Sequence, residues 1–116
     1  MAAIKRDTWT LMNNTDIITI KAKLRLKTTD EGGRYSGIKT GYRPNHVFEY
    51  NKKGNLIAAY MGEITFDKEW IQLGDEEIVT VRFIHGQSIQ KYMNVGLKWW
   101  IYEGQKLVGE AEILEV

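Results

Sequence analysis

Ten consecutive positions near the start of the chain alternate in character. Ile18, Ile20, Ala22, Leu24 and Leu26 interleave with Thr19, Lys21, Lys23, Arg25 and Lys27. Side chains on a strand point by turns to its two faces, so an unbroken period of two predicts a half-buried antiparallel strand. The polar face carries four cations. Such a row suits a phosphate backbone; it equally keeps an exposed strand soluble and blocks edge pairing.

Further strands follow at short spacing. Residues 28–37, TTDEGGRYSG, form a polar, glycine-rich loop, and Gly41-Tyr42-Arg43-Pro44-Asn45 ends the loop region at the only proline. Strands are predicted at His46–Tyr50 and Leu56–Ile64 on either side of a turn at Asn51-Lys52-Lys53-Gly54. Residues 65–75 read as a loop packed by Phe66 and Trp70. Val79, Val81 and Phe83 share one face of a strand at Glu76–Ile84. Residues 86–96 are polar and irregular. Leu97–Glu103 and Lys106–Glu115 flank a Gly104-Gln105 hairpin turn. Alternation puts Trp99 inside and Trp100 outside. The facing of the last strand stays open, because Leu107, Ala111 and Ile113 compete with Val108 and Leu114. About six short strands and no helix predict an all-β sandwich or closed barrel. Residues 1–16 lack periodicity; Trp9 and Leu11 suit either a leading strand or a clasp on the barrel.

Length and composition narrow the function classes. A chain of 116 residues with 43% hydrophobic and 27% charged residues is one globular domain's worth. It has no cysteine, which excludes a disulfide scaffold, a thiolate metal site and a cysteine nucleophile. No apolar run reaches the ~18 residues of a membrane span, and the first residues meet charge at once, so a cytoplasmic protein with no membrane partner is expected. The net charge is +1, but residues 1–60 carry +6 and residues 61–116 carry −5. Such an asymmetric field can orient a charged partner unless the two halves interleave in the fold.

Catalytic chemistry is thin. The chain lacks a Walker loop and a G-x-G-x-x-G turn. His46 and His85 have no partner at ligand spacing. Ser36 and Ser88 have no neighbouring base, and Asp75-Glu76-Glu77 reads as the solvated start of a strand. The chain is expected to be no enzyme and to need no cofactor. Arg34, Tyr35, Tyr42 and Arg43 instead mix guanidinium and aromatic groups in loops, a combination suited to phosphate and base contacts or to a protein interface.

Three stretches carry a resemblance: Glu31-Gly32-Gly33-Arg34, then residues 41–48 (GYRPNHVF), and residues 96–109 (GLKWWIYEGQKLVG). In order and spacing they resemble the C-terminal, third domain of translation elongation factor Tu. The likeness spans residues 17–116 and leaves 1–16 as an N-terminal extension. It implies a six-stranded antiparallel Greek-key closed β-barrel. In that family the barrel packs on the GTPase domain, contacts the T-stem of aminoacyl-tRNA and helps bind the nucleotide-exchange factor. Arg34 matches the family's tRNA-facing Arg. Tyr35 stands where a His is usual, Asn45 replaces a Gln, and His85 matches a position often Lys or His. Glu103-Gly104 matches the final hairpin near the tRNA, and Lys106 replaces an Arg. The chain has room for neither a GTPase domain nor a second domain. The resemblance therefore implies a non-catalytic binding module, with tRNA or another structured RNA, or a translation-related protein, as partner. The alternative is a protein-interaction decoy that mimics the domain without binding RNA.

Overall fold

The computed structural model describes residues 17–84 and 87–116. Its strands are β1 (Ile17–Leu26), β2 (Ile38–Lys39), β3 (Asn45–Val47), β4 (Tyr60–Thr65), β5 (Trp70–Ile71), β6 (Glu76–Ile84), β7 (Lys98–Glu103) and β8 (Lys106–Glu115). Six of them close a barrel in the order β1-β6-β4-β3-β7-β8, while β2 and β5 pair separately. Every pairing is antiparallel. Strands β3, β4 and β6 run as successive neighbours and β7 returns to lie beside β3, which is a Greek key. The all-β closed barrel expected from the sequence is the observed architecture. Trp9, Leu11 and the rest of residues 1–16, together with His85 and Gly86, lie outside the described residues.

β1 is the longest shared wall. Ile20, Ala22, Leu24 and Leu26 are buried, as the alternation requires. The strand pairs with β6 from Ile17–Ile84 to Arg25–Glu76 and with β8 from Lys21–Glu115 to Leu26–Gly109. Its outward cations meet carboxylates: Lys21, Lys23 and Arg25 face Glu115, Glu112 and Glu110 on β8, and Arg25 also faces Glu76 on β6. The cationic half of the chain thus sits between two strands of the acidic half. The row is neither a sheet edge nor a free basic strip.

Several boundaries differ from the sequence reading. β3 ends at Val47 and β4 starts only at Tyr60. Between them Asn51 accepts from the backbone N–H of Lys53 (2.8 Å) and Asn55 (3.0 Å) through Oδ1. The turn predicted at Asn51–Gly54 is therefore present, and beyond it Tyr50 and Leu56 form only an isolated antiparallel bridge before β4 begins. The aromatic loop at 65–75 contains β5, whose Ile71 is fully buried opposite Ile38 of β2. The facing of β8 is settled by a bulge. Ile101 pairs with Gly109 but Tyr102 pairs with Leu107, so Val108 is the extra residue. An extra residue reverses the phase of a period-two pattern. Val108 is therefore buried along with Ala111 and Ile113, although their spacings disagree.

The polar segment 87–96 plugs one end of the barrel. It buries Ile89 and Tyr92. The Tyr92 ring stacks on Phe48 at 4.7 Å and 8°, and its hydroxyl donates to Glu49. The Gln87 side chain accepts from the Met61 N–H (2.8 Å) and donates to the Met61 and Ile84 carbonyls (3.1 and 2.8 Å). That amide substitutes for a missing strand partner. Trp99 is fully buried as expected. Trp100 is half-buried against Tyr50, edge-on at 4.9 Å and 65°.

His46 is the only buried polar or charged residue among those described. Its Nδ1 accepts from the Trp99 indole N–H (3.0 Å), and its Nε2 lies 3.0 Å from the Gly62 carbonyl. An indole can only donate and a carbonyl can only accept, so the ring is neutral with the proton on Nε2. Gly62 has to be glycine: a Cβ would lie 2.8 Å from two atoms of the Phe83 ring and 2.9 Å from His46 Nε2. Gly62→Ala should cost about 1–3 kcal/mol through overpacking, read as a lower urea midpoint.

Burial pushes the His46 pKa down to about 4 from 6.5. The unfolded chain then binds a proton that the folded chain refuses between those values. The stability from this site is complete above pH 6.5 and declines by about 3 kcal/mol as pH falls to 4. A His46 imidazole 15N signal that titrates near pH 6.5 in the folded protein would refute the assignment.

Candidate binding rim

The loop after β1 is built from its start. Thr28 caps a 3-10 turn at Thr29–Glu31: Thr28 Oγ1 accepts from the Glu31 N–H (3.3 Å), and the Glu31 carboxylate accepts from the Thr28 N–H (2.9 Å). This is a capping box. The Thr28 N–H, and after it the Arg25 guanidinium, hold the Glu31 carboxyl below its ordinary value. Gly32 then takes φ +91°, and a Cβ on Gly33 would lie 2.7 Å from the Lys27 carbonyl oxygen. The paired glycines let the chain double back, and Thr29 Oγ1 fastens it by donating to the Arg34 carbonyl at 2.6 Å.

Arg34 reaches across to the β7–β8 hairpin. Its Nη1 donates to Glu103, its Nε to the Ser36 carbonyl (3.0 Å) and its Nη2 to the Gly37 carbonyl (3.3 Å). The guanidinium carbon also lies 5.3 Å from the centre of the Tyr42 ring. The Tyr42 hydroxyl donates to the same Glu103 carboxylate. Burial, reinforced by Glu103, pushes the Tyr42 phenol well above its ordinary value, so it remains a donor. On the outer side Lys106 Nζ sits 4.7 Å from the centre of the Tyr35 ring, and Tyr35 is 82% exposed. Arg34, Tyr35, Tyr42, Glu103 and Lys106 thereby form one rim, with Gly104 at the hairpin tip.

The rim divides into two layers. Arg34 spends three of its five N–H donors inside the protein, so it holds the loops together. Tyr35 and Lys106 offer an aromatic face and an ammonium group to solvent. This pairing suits stacking and anion contact, and no nucleophile with its base is present in it. Among the described residues no three His, Asp or Glu side chains gather as metal ligands, and no helix is long and apolar enough to cross a membrane.

Two other expected residues lie elsewhere. Arg43, next to Tyr42 in the chain, is 3.5 Å from Glu63 on β4, and Glu63 is 3.5 Å from Arg82 on β6. Asn45 opens β3 between Met61 of β4 and Tyr102 of β7. His85 is outside the described residues. Sequence reasoning missed Glu63 and Arg82. They are direct cross-strand partners, and only the β4–β6 register makes them so. No protein-family model matches the chain.

If Arg34 and Glu103 clamp the rim, the variants Arg34→Ala and Glu103→Ala should be non-additive. Urea unfolding of the two single variants and the double variant should give a coupling of about 1 kcal/mol, the low end for charged hydrogen bonds because both groups keep some water contact. Simple additivity would refute the clamp.

Proposed function

We propose that this protein is a non-catalytic binding module whose rim takes structured RNA of the tRNA type. One observation carries the reading: the two loops that resemble the tRNA-facing loops of elongation factor Tu's third domain meet, although Arg34 and Glu103 are 69 residues apart. An exposed tyrosine offers a stacking platform, and a lysine beside it offers a phosphate contact. The reading implies a cytoplasmic role in translation without catalysis or cofactor.

A protein partner is the second reading. The inward engagement of Arg34 and the carboxylates lining the β1 cations favour it, because both reduce the charge available to a phosphate backbone. The two readings part on RNA binding.

Fluorescence anisotropy with a labelled tRNA transcript tests the first. Binding should weaken with salt at a log–log slope of roughly −1 to −2, one or two contacts' worth. Tyr35→Ala should weaken it about fivefold or more, the loss of one stacked base, and Lys106→Ala should make the slope shallower by about one contact. No tRNA binding at low salt would overturn the RNA reading and leave the protein partner.

A further inference from the structure

A second concave surface lies away from the rim. Arg43, Glu63 and Arg82 line a cleft of about 290 Å³ together with Met61, Ile84 and Ile17. Both arginines share the single Glu63 carboxylate at 3.5 Å. One carboxylate cannot neutralise two guanidiniums, so among the described residues the cleft lining keeps one positive charge in excess. Arg43 is 70% exposed and its donors are open to a ligand. Two residues along each strand from Glu63 and Arg82, on the same outer face, the lining is aliphatic: Met61 is 58% and Ile84 56% exposed. Exposed aliphatic side chains bordering a cationic group gain most from a partner that brings an apolar group and an anion together.

We infer that this cleft docks a protein segment in which a single carboxylate is flanked by aliphatic side chains. The carboxylate engages Arg43 and Arg82 by charge-assisted hydrogen bonds, and its neighbours cover Met61, Ile84 and Ile17. Glu63 competes with that carboxylate for the two guanidiniums. Two features favour peptide over nucleic acid. Among the described residues the one aromatic side chain lining the cleft, Phe83, is fully buried and offers no face on which a base could stack, and Met61, Ile84 and Ile17 are aliphatic where a phosphate backbone needs polar contacts. The inference stands apart from the rim, whose residues it does not use.

The test is a 15N NMR titration of the full chain with acetyl-Ala-Leu-Asp-Leu-Ala amide. Shifts should concentrate at Met61, Gly62, Glu63, Arg82 and Ile84. The same peptide with Asn in place of Asp should bind about tenfold more weakly, the worth of one charge-assisted contact. Replacing both leucines by alanine should also weaken binding. Arg43→Ala and Arg82→Ala should each weaken it, while Glu63→Gln should tighten it, because an internal competitor for the guanidiniums is removed without change of shape. A structural role alone would not move affinity in opposite directions. The inference is overturned if the peptide leaves these amides unshifted, if the Asn peptide binds equally well, if Glu63→Gln weakens binding, or if a tRNA transcript shifts the same amides and displaces the peptide. Loss of tRNA binding in Tyr35→Ala with the peptide shifts intact separates the two sites.

Discussion

The barrel depends on keeping one buried imidazole neutral and fully hydrogen-bonded. β3 is three residues long and pairs with β4 over only two positions, the weakest join in the ring. His46 lies at that join. Through its two ring nitrogens it ties Trp99 of β7 to Gly62 of β4, across the strand that carries it. An unpaired buried polar group would cost more than the hydrogen bonds return, so the contact tolerates little rearrangement. It also explains the aromatic packing around it. Phe83 stands edge-on to His46 at 4.9 Å, and Gly62 leaves the room that both rings occupy.

Closure of the ring determines the electrostatics. A chain whose halves carry opposite net charge would present two poles if the halves formed separate layers. Here β1 runs between β6 and β8, so Lys21, Lys23 and Arg25 of its outward row each have a carboxylate across a strand. The charge asymmetry of the sequence becomes local alternation on the wall. The rim lies where strands end and loops depart, whereas the cleft lies on the paired outer face of β4 and β6. They lie on either side of Tyr42-Arg43: Tyr42 joins Arg34 and Glu103, while Arg43 joins Glu63 and Arg82.

These two surfaces differ in chemistry. The rim has its strongest cation turned inward and its exposed tyrosine backed by a lysine, which suits a flat, weakly polar face carrying anions. The cleft has guanidiniums open to solvent beside aliphatic side chains. The rim uses no residue of the His46 network, whereas Gly62 and Phe83 of that network also line the cleft.

Strand identity was readable wherever both faces of a strand had settled environments. β1 and β6 follow their alternation closely: Ile20, Ala22, Leu24 and Leu26, and Val79, Val81 and Phe83, point into the barrel, while Ile78 and Ile84 fall on the outward phase of β6 and are exposed. The signal failed elsewhere. After the expected Asn51 turn the pairing shrinks to an isolated Tyr50–Leu56 bridge and β4 starts late, the bulge at Val108 reverses the phase of β8, and a segment polar enough to look like a surface loop inserts Ile89 and Tyr92 into the barrel. The resemblance pointed to Arg34, Tyr35, Glu103 and Lys106 as members of one surface, and they do lie together; it did not show that Arg34 faces inward. Glu63 and Arg82 left no trace in the linear pattern. Periodicity records which side of a segment meets the core, a local property of a few neighbouring residues. Which distant strand lies alongside, in what register, and therefore which charges meet, is decided by the free energy of closing the whole ring.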